Sequence, residues 1–384
     1  MEITQEERNA IKSRIQNEIA ELSITNPFLI IEMGTGSGKG LALLKCIDKC
    51  TSDKKWVIFV PEIAQIANME GEIEKFGYSH LLYTKIDSIE CYASMKKYEN
   101  QIVNIALNEV QNLSDARFDS LSTIDYDKII ADSATIPYDI KYKLEQLGDF
   151  YTYSLPLKEG IELGILPKPK IYTVPVLMSS IKEKFEYTKY KKKITGSAQE
   201  YYIHLSDQMD YWRKRYNREN DKYMENKSLQ YASMRKRFLG SLKTIKAKEL
   251  IDKFVKTGKR FIVFSSDIKQ AEQLGGSKLA IHSKKSAKVN KEVLRKFNAL
   301  ETDKIFPVGM LISGMTLSKL QVGLVVQLDS GANNENLKII QTCGRVLRDE
   351  EPELYILYIP NTKDEDYLQN AIKALGEEYI INTK

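Results

Sequence analysis

The stretch IIEMGTGSGKGLALL, residues 30–44, joins an apolar run to a helical pattern through a glycine-rich loop. Gly34, Gly36 and Gly38 let a backbone curl so that its N–H groups face an anion at a helix N-terminus. A lysine that closes such a loop reaches the β- and γ-phosphates of a nucleotide, so Gly34, Thr35, Gly36, Ser37, Gly38, Lys39 and Gly40 form the expected nucleotide-binding segment. The residue after the lysine ordinarily gives a hydroxyl to Mg²⁺. Here it is Gly40, and Met33 stands where the usual pattern begins with glycine. The spacing therefore predicts a phosphate grip with an altered metal contact.

Three further patterns follow in order. IALNEVQNLSDAR (105–117) ends an apolar run in Asn108-Glu109-Val110-Gln111. KIIADSATIP (128–137) carries Ser133-Ala134-Thr135, and QTCGRVLR (341–348) carries Gln341, Gly344, Arg345 and Arg348 at positions i, i+3, i+4 and i+7 of one helical face. A lone RxxR reads as two solvated arginines. In this order, on these elements, the set resembles the superfamily 2 helicases and translocases, whose DExH/DExQ box ends a strand, is followed by Ser-Ala-Thr and is matched later by QxxGRxxR. IVFSSD (262–267), IHSKKS (281–286) and GMTLSKLQVGLVVQLD (314–329) stand where that family's intermediate motifs fall. The chain looks most similar to compact phage and bacterial DEAD/DEAH-box DNA helicases, with a degenerate first motif (GKG) and a degenerate second one (NEVQ).

That resemblance implies two RecA-like lobes that sandwich ATP with Mg²⁺. It implies Glu109 as the general base that orients the attacking water, and Arg345 and Arg348, with Gln341, at the γ-phosphate. Ser133 and Thr135 would couple nucleotide state to strand movement. Asn108 stands where an aspartate would hold the metal, so its contact would run through a water. Gly40 and Asn108 depart at the same ion, while Lys39, Glu109, Arg345 and Arg348 are kept. Two readings follow: an active ATP-dependent translocase on nucleic acid, DNA rather than RNA, or a hydrolysis-deficient scaffold that binds nucleic acid under nucleotide control. A nucleotide kinase has no need of the second strand series or its paired arginines.

The elements that must position these groups are α/β units. Continuous apolar runs without alternation, as expected of strands buried on both faces, occur at 28–33, 56–60, 102–107, 128–132, 260–265, 278–283, 305–311, 322–328 and 354–359. The expected order is a RecA-like ATP-binding domain at 1–175, a basic, Tyr-rich helical insertion at 176–245, and a RecA-like C-terminal domain at 246–384. The net charge of +5 is local. Between Lys182 and Lys248, 18 Lys/Arg stand against 8 Asp/Glu, leaving the rest of the chain acidic. A segment so charged, with tyrosines interleaved, fits a polyanion, and Arg213, Lys214, Arg215 and Arg218 are the expected phosphate contacts. The apolar runs are too short to span a bilayer, and four cysteines without a CxxC pair fit reduced thiols in a cytoplasm, or a host cytoplasm for a viral chain.

Overall fold

The computed structural model describes residues 4–34, 36–189, 191–308, 317–328 and 351–383. Thr35, Gln341, Arg345 and Arg348 lie outside these residues. The chain divides into two compact units, the first running to Lys168 and the second starting at Pro169.

The first unit is built on a six-stranded sheet in the order β3-β2-β4-β5-β1-β6, with every pairing parallel. Its strands are β1 (Phe28–Met33), β2 (Trp56–Val60), β3 (Ile86–Cys91), β4 (Ile102–Leu107), β5 (Asp125–Ser133) and β6 (Tyr151–Leu155). Alternate residues of β1 serve different faces: Leu29, Ile31 and Met33 join one core cluster, while Ile30 joins the other. The first cluster also takes in Ile15 and Ile19 of α1 (Gln5–Thr25), Leu43 and Ile47 of α2 (Lys39–Lys49), and Met69 and Ile73 of α3 (Ile66–Lys75). Residues 69 and 73 are one helical turn apart, so α3 packs one face inward. The register runs Phe28↔Ile129 to Glu32↔Ser133 between β1 and β5, and Leu107↔Ala131 between β4 and β5. The glycine loop, the Asn108–Gln111 turn and Ser133–Thr135 thus leave the same carboxyl edge of the sheet, where open parallel sheets bind ligands.

The second unit has a seven-stranded sheet in the order β11-β12-β10-β13-β14-β7-β15, again parallel throughout. These strands are β7 (Lys170–Pro175), β10 (Phe261–Phe264), β11 (Ala280–Ile281), β12 (Lys304–Pro307), β13 (Val322–Val325), β14 (Glu353–Tyr358) and β15 (Ile380–Asn382). The sequence boundary at 175 assigns β7 to the first lobe; it instead hydrogen-bonds between β14 and β15. The middle segment also differs from a purely helical insertion. It opens with an antiparallel hairpin, β8 (Phe185–Lys189) and β9 (Lys192–Gly196), before two helices, Ala198–Glu219 and Lys222–Leu242. Asn220 turns the chain between those helices with φ +49°, a left-handed conformation that asparagine tolerates.

A buried ion pair fixes the end of this helical hairpin. Lys243, which caps the second helix, donates to Asp364 Oδ2 at 2.6 Å with both side chains fully buried. Gln327 Nε2 donates to the other oxygen of Asp364 at 2.7 Å.

Candidate nucleotide site

The loop from Gly34 to Gly38 is held from outside by α1. Lys12 Nζ donates to the Gly36 carbonyl and Gln16 Nε2 to the Gly38 carbonyl, each at 3.2 Å. Ser37 closes the turn on itself, its hydroxyl donating to the Gly34 carbonyl at 2.6 Å. Gly38 adopts φ +96°, which favours glycine, and a Cβ there would lie 2.4 Å from Gln16 Nε2 and push that side chain off the loop. α2 begins at Lys39 directly after this turn. The first three peptide N–H groups of the helix therefore lack intrahelical partners and add to the anion grip.

Lys39 crosses to the second motif. Its ammonium donates to Glu109 Oε1 at 2.7 Å, with both side chains mostly buried. Gln111 Nε2 donates to Glu109 Oε2 at 2.7 Å, and the Ser133 hydroxyl lies 2.6 Å from Gln111 Oε1. A chain of contacts thus runs Ser133–Gln111–Glu109–Lys39, joining the Ser-Ala-Thr motif to the phosphate lysine. Thr135 enters through its backbone, whose N–H donates to Ser133 Oγ at 3.2 Å. Glu109 holds φ +55°. This costs of order 1–3 kcal/mol and persists only where neighbours enforce it. Here Glu109 N–H donates to Asp132 Oδ1 at 3.3 Å, and its carbonyl accepts from Asn112.

Asp132 was not singled out by its sequence context, yet it organises the turn. It is fully buried, and its Oδ2 accepts from Asn108 Nδ2 at 2.9 Å. Burial pushes the Asp132 carboxyl up to about 7, the Lys39 charge opposes that rise and the Glu109 charge adds to it. Asn108 thus gives an amide hydrogen to this carboxyl group. Asn108→Asp would set two carboxylates face to face and remove the donor. We expect a stability loss of about 3 kcal/mol in urea unfolding of the first lobe. Adding Asp132→Asn restores the same contact with donor and acceptor exchanged, and should recover most of that loss. A double variant no better than the single one would mean that this contact does not hold the turn.

These groups border a cavity of about 600 Å³ formed within the first unit by α1, the glycine loop, α3 and Asn108–Glu109, a size suited to a small-molecule ligand. From α1 it is lined by Gln5, Arg8, Lys12 and Gln16, and from α3 by Asn68 and Glu72, with Gln65 just before that helix. Sequence reading missed Lys12, Gln16, Gln65 and Glu72. The i, i+4, i+8 spacing of Arg8, Lys12 and Gln16 was the available signal, since it places three polar groups on one face of a helix that also carries apolar Ile15 and Ile19.

Two family models match the chain in tandem: "Type III restriction enzyme, res subunit" over residues 1–135, and "Helicase conserved C-terminal domain" over residues 243–350. Together they take in more than half of the sequence. The chain belongs to the superfamily 2 helicases. Among solved structures, this helicase is similar to S. cerevisiae Dbp5 bound to RNA and ADP BeF3, at 12% identity and TM-score 0.58, covering 93% of this chain and 85% of that one. It is also similar to the Pyrococcus furiosus Hef helicase domain, at 11% identity and TM-score 0.53, covering 94% and 97%. At these identities the likeness is one of fold, two tandem RecA-like domains. No curated sequence matches the helicase.

The four basic residues expected to meet nucleic acid all lie on the first helix of the hairpin, but they are not equivalent. Arg213, Lys214 and Arg218 are exposed. Arg215 is half-buried, forms a two-pronged pair with Glu219 at 3.1 Å for each contact, and lies 5.7 Å from the Trp212 ring centroid. Of the interleaved tyrosines, Tyr187 and Tyr201 pack on each other and against Phe185, Phe238 or His204. Tyr223, 58% exposed, meets the Trp212 ring at right angles and has the Lys227 ammonium over its own ring at 5.7 Å.

Proposed function

We propose that this helicase hydrolyses ATP to move along or remodel nucleic acid, with DNA as the substrate. The observation that carries the reading is the Lys39–Glu109 ion pair beneath the glycine loop. It sets the phosphate cation and the candidate base against each other, so that an arriving nucleotide must part them. Lys39 then follows the β/γ-phosphates, and Glu109 is released to orient the attacking water. Arg345 and Arg348, with Gln341, are assigned by the QxxGRxxR pattern to the charge of the transition state. Ser133, through Gln111, senses whether Glu109 is paired or free. Mg²⁺, when bound, would neutralise phosphate charge, and Asn108 Oδ1 would accept from a water of its shell. The restriction-enzyme model over the first lobe favours DNA, while the RNA bound to Dbp5 keeps RNA in the test.

A second reading, a nucleotide-gated scaffold without turnover, is favoured by one feature: position 108 carries an uncharged amide that is engaged with the buried Asp132. One experiment separates the two. ATPase rate is measured with single- and double-stranded DNA and RNA. The translocase reading expects stimulation by DNA, abolished by Lys39→Ala because the charge matched to the phosphates is gone. It also expects Arg213→Gln, Lys214→Gln and Arg218→Gln, combined, to weaken DNA binding and flatten its salt dependence, each lost phosphate contact reducing the log–log slope by about 0.7–0.9. Nucleotide binding without turnover on any nucleic acid would establish the scaffold. Stimulation that survives Lys39→Ala would remove the loop from the mechanism.

A further inference from the structure

Gly40 leaves a gap that another residue fills. A Cβ built on Gly40 would lie 2.6 Å from Glu72 Oε2 and 3.6 Å from its Cδ. A serine or threonine hydroxyl stands one bond beyond that Cβ, so the Glu72 oxygen lies beside the place where the usual hydroxyl would be. A side chain at position 40 would oblige the Glu72 carboxylate to swing aside, and with glycine there it stays beside the loop. The residue just before α3 offers another oxygen. Gln65, 7% exposed, lines the same cavity, and its Oε1 has no hydrogen-bond partner among the described residues. A buried amide acceptor left unpaired is costly and points to a missing donor. Gln65 and Glu72 both line the cavity beside the glycine loop.

We infer that Glu72 is the protein's oxygen ligand to the divalent cation that accompanies the bound nucleotide, replacing the hydroxyl that Gly40 lacks, with Gln65 accepting from a water on that cation. Carboxylate, water and phosphate oxygens are the donor set that Mg²⁺ and Mn²⁺ prefer, and Mg²⁺ needs only one or two protein ligands when phosphates supply the rest. Among the described residues no three His, Cys, Asp or Glu form a complete cage, so the ion would arrive with its nucleotide. A carboxylate also brings the negative charge that Asn108 does not. The loss at the glycine loop and at the second motif is thereby offset from α3. This inference rests on the glycine loop being a nucleotide site.

The test titrates Mn²⁺ into the full-length protein loaded with a non-hydrolysable ATP analogue, reading free Mn²⁺ by electron paramagnetic resonance. Analogue affinity is measured in parallel by fluorescence with EDTA. Glu72→Gln should weaken Mn²⁺ binding by about tenfold or more, the scale seen when a metal site loses even an outer partner. Its metal-free analogue affinity should not fall, because the carboxylate acts through the ion. Gly40→Ser alone should also weaken Mn²⁺, since the new Cβ displaces Glu72. Gly40→Ser with Glu72→Ala removes the obstruction and gives the new hydroxyl the ion, so affinity should return to within a few-fold of the parent. Unchanged Mn²⁺ affinity in Glu72→Gln, or a double variant as weak as Gly40→Ser, overturns the inference while leaving the nucleotide site intact. A parent protein that binds the analogue neither with nor without Mn²⁺ overturns the site itself.

Discussion

Glu109→Gln is expected to lower ATP turnover by about 10²–10⁴-fold, the usual contribution of a positioned general base, while ATP affinity stays at or above that of the parent. The two halves of this expectation come from the same contact. Without nucleotide, Glu109 neutralises Lys39 at 2.7 Å. Phosphate must compete for that lysine, and an uncharged amide at 109 competes less well than a carboxylate. Glutamine keeps the side-chain length, so Gln111 can still meet it through the amide oxygen. Removing the carboxylate therefore frees Lys39 for the ground state and removes the proton acceptor from the transition state. A fall in kcat with no rise in KM is the kinetic signature, measurable by phosphate release at saturating DNA. Turnover within a few-fold of the parent would show that Glu109 is not the base. A large loss of affinity would instead mean that the ion pair holds the turn in shape, with the left-handed backbone at Glu109 as the element released.

The central strands of both sheets are legible because each is a continuous apolar run. FLIIEM, WVIFV and IVNIAL coincide with β1, β2 and β4 at both ends. The strands that escape notice are peripheral. β3 reads Ile-Asp-Ser-Ile-Glu-Cys and β6 reads Tyr-Thr-Tyr-Ser-Leu, at opposite edges of the first sheet. β15 is three residues at the edge of the second. An edge strand buries one side less, so polar residues interrupt its pattern. β7 hides for another reason: Lys170–Pro175 follows the first lobe in sequence, and only pairing with the distant β14 reveals where it belongs. The site divides in the same way. The phosphate lysine and the Glu109 box are legible as spacing within one segment. Asp132, Gln16 and Glu72 reach the site from other elements, and nothing local in the sequence marks a contact that forms between residues 40 and 72.

The anchor of the basic hairpin carries the largest expected effect on stability. Lys243→Met should destabilise the second unit by about 3–5 kcal/mol, the cost of leaving one member of a buried pair without its partner. Burial lowers the Lys243 pKa, and the Asp364 charge and hydrogen bond oppose that shift. The pair therefore persists because each charge excuses the other, not because either is at ease in the core. Once methionine replaces the ammonium, Asp364 keeps Gln327 Nε2 as a donor at 2.7 Å but loses its counter-charge. Adding Asp364→Asn removes the orphaned charge, retains an acceptor for Gln327 and should restore more than half of the lost stability. The comparison isolates electrostatics from packing, since methionine fills much of the lysine stem's volume. For a unit of this size each kcal/mol moves Tm by about 2–4 °C, so the single variant should be evident in calorimetry. The consequence for function is directional. Lys243 caps the helix Lys222–Leu242 and holds it to the carbonyl of Leu357 on β14 as well as to Asp364. This buried contact is one of the ties, with the apolar packing of Phe238, Leu239 and Leu242 against Ile359, that hold the hairpin and its exposed cations to the second unit. If they carry DNA, the single variant should lose DNA affinity at temperatures where its second sheet is still folded, and the charge-neutral double variant should regain it. A single variant that melts with the parent would show that the pair is worth no more than the apolar contacts that replace it.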